Sequence, residues 1–282
     1  MEKKVNDLVS NYKLGKIERR EFLTKLTALA GSLTAAMALI QVSDLSSIKE
    51  DDPVLFTEFI KYAGETGEIK AFLARPVAAK KYPAVIIIHE NRGLQPHIID
   101  VTRRMAKEGF LSLAPDGLSP LGGTPENDVA KATTMIRELK SDETTKNFVA
   151  AVKYLETHPN SNGKVGCTGF CWGGAMTNQV AVNAPTLKAA VPYYGRQPVA
   201  EDVAKIKAPV MAHYAENDPG IDQGIPAFEE ALKKAKIEYQ IFMYPGTQHA
   251  FNNDTSPERY NEQAARLAWK RTVDFFKEKL KS

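Results

Sequence analysis

A cysteine stands between two glycines in the hexapeptide Gly-Phe-Cys-Trp-Gly-Gly at residues 169–174. An apolar run ends at this motif and a helical pattern begins directly after it. In that context a G-x-nucleophile-x-G motif predicts a strained turn from strand to helix, which exposes the nucleophile at the carboxyl end of a sheet. The free N–H groups of the following helix would stabilise a thiolate there. We interpret Cys171 as a nucleophile, and the alternative is a buried structural cysteine.

Two further residues follow the ends of predicted strands and could complete a catalytic set. Asp218 ends an apolar stretch and precedes a Pro-Gly turn, and His249 stands in the loop before the last helical stretch. A histidine so placed can accept a proton from a nucleophile while a carboxylate orients its ring. The order Cys171, Asp218, His249 is the nucleophile–acid–base order of the α/β-hydrolase fold. Glu216 and Asp222 are rival acids, and a plain turn residue is the alternative for Asp218.

The remaining histidines and the second cysteine are interpreted as structural. His89 ends an apolar run and is interpreted as a core residue with satisfied hydrogen bonds. His213 lies inside a strand, and His97 and His158 stand at helix ends. No pair of histidines has metal-ligand spacing, so we expect neither a metal nor a cofactor. A disulfide from Cys167 to the cysteine four residues later would be strained, so Cys167 is predicted to be a small buried hydrophobe.

Short β-branched runs alternate with helical stretches along most of the chain. This alternation predicts an α/β fold with a mostly parallel sheet and helices on both faces. The run 83–89 is continuously apolar, as expected of a strand buried on both faces. The predicted strands are 55–62, 69–74, 83–89, 110–114, 164–169, 189–194, 209–215 and 239–244. The predicted helices are 96–107, 125–139, 143–157, 174–183, 221–235 and 257–281.

The first forty residues differ from the rest of the chain. Residues 1–25 are polar and charged, and residues 26–40 carry no charge. At about 1.5 Å per residue the uncharged stretch is too short for a ~30 Å hydrocarbon core, so a stable membrane span is not expected. Arg19 and Arg20 precede a spacer, a Phe and a Leu, which resembles a twin-arginine export signal. The pattern predicts a periplasmic protein, and the alternative is a plain N-terminal helix on a cytoplasmic enzyme.

Charge and composition limit the remaining organisation. Residues 41–52 are polar and acidic and predict a linker, and residues 53–282 predict one domain without repeats. The chain has 37 basic and 34 acidic side chains, and the first forty residues hold seven basic and four acidic ones, which leaves 30 of each. Nucleic-acid binding requires a basic field to neutralise phosphates. We therefore expect no nucleic-acid partner.

The domain resembles the dienelactone hydrolase family, or carboxymethylenebutenolidases, of the α/β-hydrolase superfamily. The resemblance covers residues 53–282. It rests on the motif at 169–174, on the Asp218 and His249 that follow it, and on the sequence His-Glu-Asn-Arg-Gly at 89–93.

Several roles are implied by this resemblance. Glu90 matches a glutamate that hydrogen-bonds the resting thiol and takes part in its activation. The backbone N–H groups of Asn91 and Trp172 match an oxyanion hole, which supplies the two fixed donors that acyl chemistry requires. Tyr193 and Tyr194 resemble the family's pocket wall, and two aromatic core residues are the alternative.

One departure from the family concerns the substrate. Members of the family bind a substrate carboxylate through two arginines, one after the second buried strand and one four residues after the histidine. Here the stretch 115–123 has no arginine and the second position is Asn253. Losing each charge-assisted hydrogen bond would cost roughly 1.5–3 kcal/mol. Arg92 and Arg196 are candidate substitutes by position.

The sequence therefore favours an enzyme that cleaves a small ester or lactone through a Cys171–His249–Asp218 triad. The alternative is a hydrolase fold used as a non-catalytic binding protein or as a thiol redox sensor, with Cys171 as the sensing thiol.

Overall fold

The computed structural model describes residues 24–25, 27–29 and 48–281. The chain divides into two units, Met1–Lys49 and Glu50–Ser282. The predicted export signal over residues 1–40 lies outside the described residues, apart from residues 24–25 and 27–29, which are helical. Of the predicted linker over 41–52, residues 48–52 are described. Among the helices that are described, none is long and apolar enough to cross a membrane.

Within the second unit, eight strands form one sheet: β1 (Leu55–Gly64), β2 (Gly67–Pro76), β3 (Tyr82–Ile88), β4 (Leu111–Pro115), β5 (Ser161–Phe170), β6 (Ala189–Tyr193), β7 (Val210–Asn217) and β8 (Tyr239–Gln248). Their order is β1-β2-β4-β3-β5-β6-β7-β8. The first strand pairs antiparallel with β2 and β2 antiparallel with β4. All other neighbours in the sheet are parallel. The predicted fold class is confirmed.

The helices connect these strands as α1 (Pro96–Lys107), α2 (Val129–Glu138), α3 (Ser141–Thr157), α4 (Trp172–Asn183), α5 (Ala200–Val203), α6 (Pro219–Asp222), α7 (Ile225–Lys234) and α8 (Glu262–Lys279), with a 3-10 turn at Ser119–Leu121. The sheet has a hydrophobic core on each face. One core includes side chains from α1 and α8. The other includes side chains from α3, α4 and α7.

The central strand β3 shows why the sheet is buried on both faces. Val85 and Ile87 belong to the core under α1 and α8, whereas Ile86 and Ile88 belong to the opposite core. All four side chains are 0% exposed. Burying each one contributes about 1.5–3 kcal/mol, so the continuous apolar run fixes this strand at the centre of the sheet.

Several predicted boundaries were wrong because tertiary contacts extend or interrupt the elements. The strand predicted to stop at residue 244 continues through Pro245 and Gly246 to Gln248, since a register shift in β7 lets Asn217 pair with Gln248. The helix predicted over 221–235 is divided into α6 and α7. The last helix begins only at Glu262, where the Asn261 side chain accepts a hydrogen bond from the Ala264 N–H and caps it.

Candidate active site

Cys171 lies on a strained turn between β5 and α4. Its backbone has φ 56° and ψ −116°, a conformation that persists in a non-glycine residue only where the surroundings impose it. A Cβ at Gly169 would lie 2.3 Å from the carbonyl oxygen of Gly173, and a Cβ at Gly173 would lie 2.3 Å from that of Ile88. Close backbone approach therefore requires both glycines, as the spacing around the cysteine predicts.

The turn places the Cys171 thiol, which is half-buried, at the N-terminus of α4. The Cys171 N–H donates to the carbonyl of Tyr193 at 3.1 Å, and the Cys171 carbonyl accepts from the Ala175 N–H at 3.1 Å. The first N–H groups of a helix have no intrahelical acceptor and form the positive end of its dipole. This position favours negative charge on the sulfur.

His249 connects the cysteine to a carboxylate. Its Nδ1 lies 2.5 Å from Asp218 Oδ2, and its ring is near enough to Cys171 for the two side chains to interact electrostatically. Burial by itself lowers the pKa of His249, but the interactions with Asp218 and Cys171 outweigh burial and raise the pKa from 6.5 to about 10. The structure thus brings the three residues together from the ends of β5, β7 and β8.

The two rival acids are occupied with backbone groups. Glu216 accepts a hydrogen bond from the Gly246 N–H at 2.8 Å. Asp222 accepts one from the Asp218 N–H at 3.0 Å, and burial raises its pKa. Neither geometry orients the ring of His249, and the contact from Asp222 holds the backbone of Asp218 instead.

Glu90 follows β3 and is 9% exposed. It accepts a hydrogen bond from Asn253 Nδ2 at 2.7 Å. The Asn253 Oδ1 accepts from the backbone N–H of Thr255 at 2.9 Å and from its hydroxyl at 2.6 Å, which fixes the orientation of the amide. The residue that replaces the family's second arginine is therefore a neutral donor to Glu90.

The two predicted tyrosines have different surroundings. The Tyr194 ring lies 5.0 Å from that of His249. Burial and the nearby charges of Glu90 and Cys171 raise the pKa of Tyr194, and its buried hydroxyl has no hydrogen-bond partner among the described residues. Tyr193 is fully buried, and its hydroxyl lies 2.6 Å from that of Thr272 in α8. The structure brings Tyr194 to the site and Tyr193 into the core.

A cavity of about 240 Å³ lies beside Glu90, and Arg92 and Asn253 line it. Arg92 and Arg196 are both exposed, and the carbonyl of Arg196 accepts a hydrogen bond from Asn178 Nδ2. Of the two arginines, Arg92 is the one in the wall of this cavity. A second cavity of about 410 Å³ lies at the opposite end of β3 and is remote from the cysteine.

The two backbone segments that would form an oxyanion hole, the start of α4 and the end of β3, are in close contact. A Cβ at Gly173 would meet the carbonyl oxygens of both Ile88 and His89, at 2.3 and 2.4 Å. The first turn of α4, which begins with Trp172, therefore packs directly on the end of β3, which leads to Asn91. This close approach depends on the absence of a side chain at residue 173.

His97, which is interpreted from the sequence as a structural residue at a helix end, also lines the cavity beside Glu90. Its Nδ1 lies 3.1 Å from Asp254 Oδ1, and Asp254 binds Arg104 at 2.6 Å. Burial raises the pKa of Asp254, but His97 and Arg104 outweigh burial and lower it to about 2. The available sequence signal was the position of His97 at the start of the helix that follows the 89–93 motif. In the described part of the chain, no group of three or more His, Cys, Asp or Glu side chains could hold a metal ion.

Comparisons with known proteins identify relatives of this chain by sequence and by fold. The family model described as "Dienelactone hydrolase family" matches residues 69–280. A relative from Methylorubrum extorquens named "Putative carboxymethylenebutenolidase" is 31% identical, over 91% of this chain and 93% of its own. The crystal structure of "Putative Dienelactone Hydrolase" from Klebsiella pneumoniae has a TM-score of 0.70 and 27% identity, over 79% of this chain and 98% of its own. An acylaminoacyl peptidase from Pyrococcus horikoshii shares the fold, with a TM-score of 0.64, 16% identity and coverage of 89% and 44%.

The sheet order and the strained turn from β5 to α4 define an α/β-hydrolase-fold enzyme. More narrowly, the chain belongs to the dienelactone hydrolase family, whose members hydrolyse esters and lactones. The resemblance inferred from the sequence is confirmed.

Proposed function

We propose that the protein hydrolyses a small ester or lactone, with Cys171 as the nucleophile, His249 as the acid–base catalyst and Asp218 as the group that orients and charges His249. The observation that carries the proposal is the geometry at the strained turn, where His249 Nδ1 lies 2.5 Å from Asp218 Oδ2 and the His249 ring interacts with Cys171. A non-glycine residue held in a strained conformation at the start of a helix is typical of a functional site.

The first half of the reaction forms a thioester. The proton of the Cys171 thiol is already held by His249, and the thiolate sulfur attacks the carbonyl carbon of the ester. The tetrahedral intermediate then collapses, the bond from carbon to the alcohol oxygen breaks, and His249 returns the proton to the leaving alkoxide. The raised pKa of His249 supports this role, because a ring stabilised by Asp218 holds the proton until the alcohol takes it.

The second half releases the acid. His249 accepts a proton from a water molecule as the water oxygen attacks the thioester carbon, and the thiolate leaves and is reprotonated. In both halves the negative carbonyl oxygen would be held by the backbone N–H groups of Asn91 and Trp172. Fixed donors of this kind lower such barriers by several kcal/mol.

Glu90 and Tyr194 would flank the reacting sulfur. The charges of Glu90 and Cys171 both act on the Tyr194 hydroxyl, which supports a common location for the three groups. We assign Glu90 to activation of the thiol, as the resemblance implies, and Tyr194 to substrate contact. Arg92 in the cavity wall is the candidate contact for a charged part of the substrate, with Arg196 outside that cavity.

The experiment is a panel of p-nitrophenyl esters and small lactones assayed with the wild type, Cys171→Ala and Cys167→Ala. We expect Cys171→Ala to lose turnover to the level of buffer. Cys167 is fully buried and serves as the matched thiol control, so Cys167→Ala is expected to retain turnover. Equal turnover by all three proteins would contradict the cysteine mechanism. Absence of turnover by the wild type would instead favour the binding or redox-sensing alternative.

A further inference from the structure

We propose that His89 is a positioning residue that aims both backbone donors of the oxyanion hole, the N–H groups of Asn91 and Trp172. The inference rests on the proposed function, since it assigns those two groups their role in acyl transfer. His89 takes no part in the proton transfers described above. It is a fully buried histidine directly after β3.

The hydrogen bonds of His89 define its protonation. The Gly117 N–H donates to Nε2 at 3.0 Å, so Nε2 accepts and carries no proton. The proton is therefore on Nδ1, which donates to the carbonyl oxygen of Glu90 at 2.7 Å. Burial lowers the pKa of His89, which keeps this neutral form. Both ring nitrogens are satisfied by backbone groups.

The carbonyl that His89 binds belongs to the same peptide unit as the Asn91 N–H. That peptide is planar and trans, so its C=O and N–H point in opposite directions. By holding the Glu90 carbonyl, the His89 ring directs the Asn91 N–H away from itself. The direction of the Asn91 N–H is thus set by one hydrogen bond from the fully buried His89 side chain.

The second donor is positioned through ring packing. The His89 ring stacks on the indole of Trp172, with centroids 5.2 Å apart and planes at 18°. A Cβ at Gly117 would lie 3.1 Å from an atom of each ring. The backbone of Gly117 therefore packs against both stacked rings. Phe148 also packs against the indole edge to face, with ring centroids 6.0 Å apart and planes at 64°. The His89 ring therefore also restricts the position of Trp172, whose N–H is the second donor.

Two substitutions separate the two hydrogen bonds of His89. In His89→Asn, the amide nitrogen occupies the place of Nδ1 and can still donate to Glu90, but the acceptor for Gly117 is lost. In His89→Gln, the amide oxygen reaches the place of Nε2 and can accept from Gly117, but the donor to Glu90 is lost. Both variants remove the stacked ring, so each is the packing control for the other.

The readout is the ratio of turnover on an ester to turnover on the matching thionoester, in which sulfur replaces the carbonyl oxygen. Sulfur is a poor hydrogen-bond acceptor, so a weakened oxyanion hole slows the ester selectively. We expect His89→Gln to lower kcat on the ester by roughly 10- to 100-fold, with little change in KM and with a parallel fall in the ratio. His89→Asn keeps the donor to Glu90 but loses the ring that stacks on Trp172, so its ratio should fall less, to a value between those of the wild type and His89→Gln.

Alkylation of Cys171 by iodoacetamide separates this role from damage to the nucleophile, because that reaction displaces iodide and forms no oxyanion. We expect the same alkylation rate in the wild type and both variants. An unchanged ester-to-thionoester ratio in His89→Gln would overturn the inference, as would equal losses in both variants accompanied by slower alkylation. Failure of the proposed function has a separate signature, a wild type that turns over neither substrate, and the positioning role would fall with it.

Discussion

At the scale of single residues, the protonation of His249 depends on its neighbours Asp218 and Cys171. His249 is partly buried, and burial opposes its protonated form, yet Asp218 at 2.5 Å and the Cys171 side chain stabilise that form. The carboxylate therefore orients the ring and, together with Cys171, stabilises the imidazolium. The neighbouring Glu216 binds only a backbone N–H and offers a natural control.

Asp218→Asn should reduce kcat by about 10²- to 10⁴-fold, because the amide cannot stabilise the imidazolium and can leave the ring in the wrong tautomer. The pH dependence of activity should also change, since the pKa of His249 falls when the carboxylate is removed. Steady-state kinetics between pH 5 and pH 10 measure both effects. Glu216→Gln should stay within about twofold of the wild type. A loss in Glu216→Gln that equals the loss in Asp218→Asn would refute the assigned roles.

The same histidine should link stability to pH. Its folded-state pKa of about 10 lies above the unfolded value of 6.5. The protonated ring therefore stabilises the fold fully below pH 6.5, and this stabilisation is lost as the pH rises through about 10. Urea unfolding of the wild type and of Asp218→Asn, compared between pH 6 and pH 10, should show a difference in unfolding free energy that shrinks with pH. A difference that is constant over this range would contradict the coupling.

At the scale of secondary structure, the nucleophile turn depends on how closely α4 approaches β3. Gly173→Ala would place a methyl group 2.3 Å from the carbonyl oxygen of Ile88. Backbone cannot move aside as a flexible side chain can, so we expect a loss of about 3 kcal/mol or more in unfolding free energy, or failure to fold. Gly220→Ala, with nothing within 4 Å of its Cβ, is the control and should be neutral within about 0.5 kcal/mol. Equal stability of the two variants in chemical denaturation would argue against the close contact.

The sequence predicted the elements that are specified locally. The run that forms β3 is apolar at every position, and the glycines around Cys171 indicate the turn, so the sequence alone predicted both. The split between α6 and α7 and the extension of β8 were not, because they depend on pairing and packing with other elements. The bond from Asn253 to Glu90 joins residues 163 positions apart, and nothing in the local sequence around either residue indicates it.

For the whole molecule, we propose that the N-terminal segment directs export of the enzyme domain. Export through a twin-arginine route, which we propose from Arg19 and Arg20, would carry a domain that has already folded. The two thiols would then be exposed to the oxidising periplasm only after folding, when Cys167 is buried and Cys171 lies in its site. This order suits a protein in which both cysteines are free.

We expect a periplasmic mature protein that begins near residue 39. Fractionation of native host cells with intact-mass analysis would measure this, with Arg19→Lys/Arg20→Lys as the matched variant that keeps the charge. The double substitution should retain full-length protein in the cytoplasm, because the export signal requires paired arginines. Full-length wild-type protein found in the cytoplasm, with no effect of the substitution, would favour a plain N-terminal helix.

The central claim is that Cys171 becomes acylated during turnover. A slowly hydrolysed p-nitrophenyl ester, quenched in acid after milliseconds to seconds, followed by intact-mass analysis and peptide mapping, tests it directly. We expect one acyl group per chain, attached to Cys171 as a thioester. This adduct should be present in Cys167→Ala and absent in Cys171→Ala. Turnover without an adduct, or an adduct on another residue in the wild type, would contradict it.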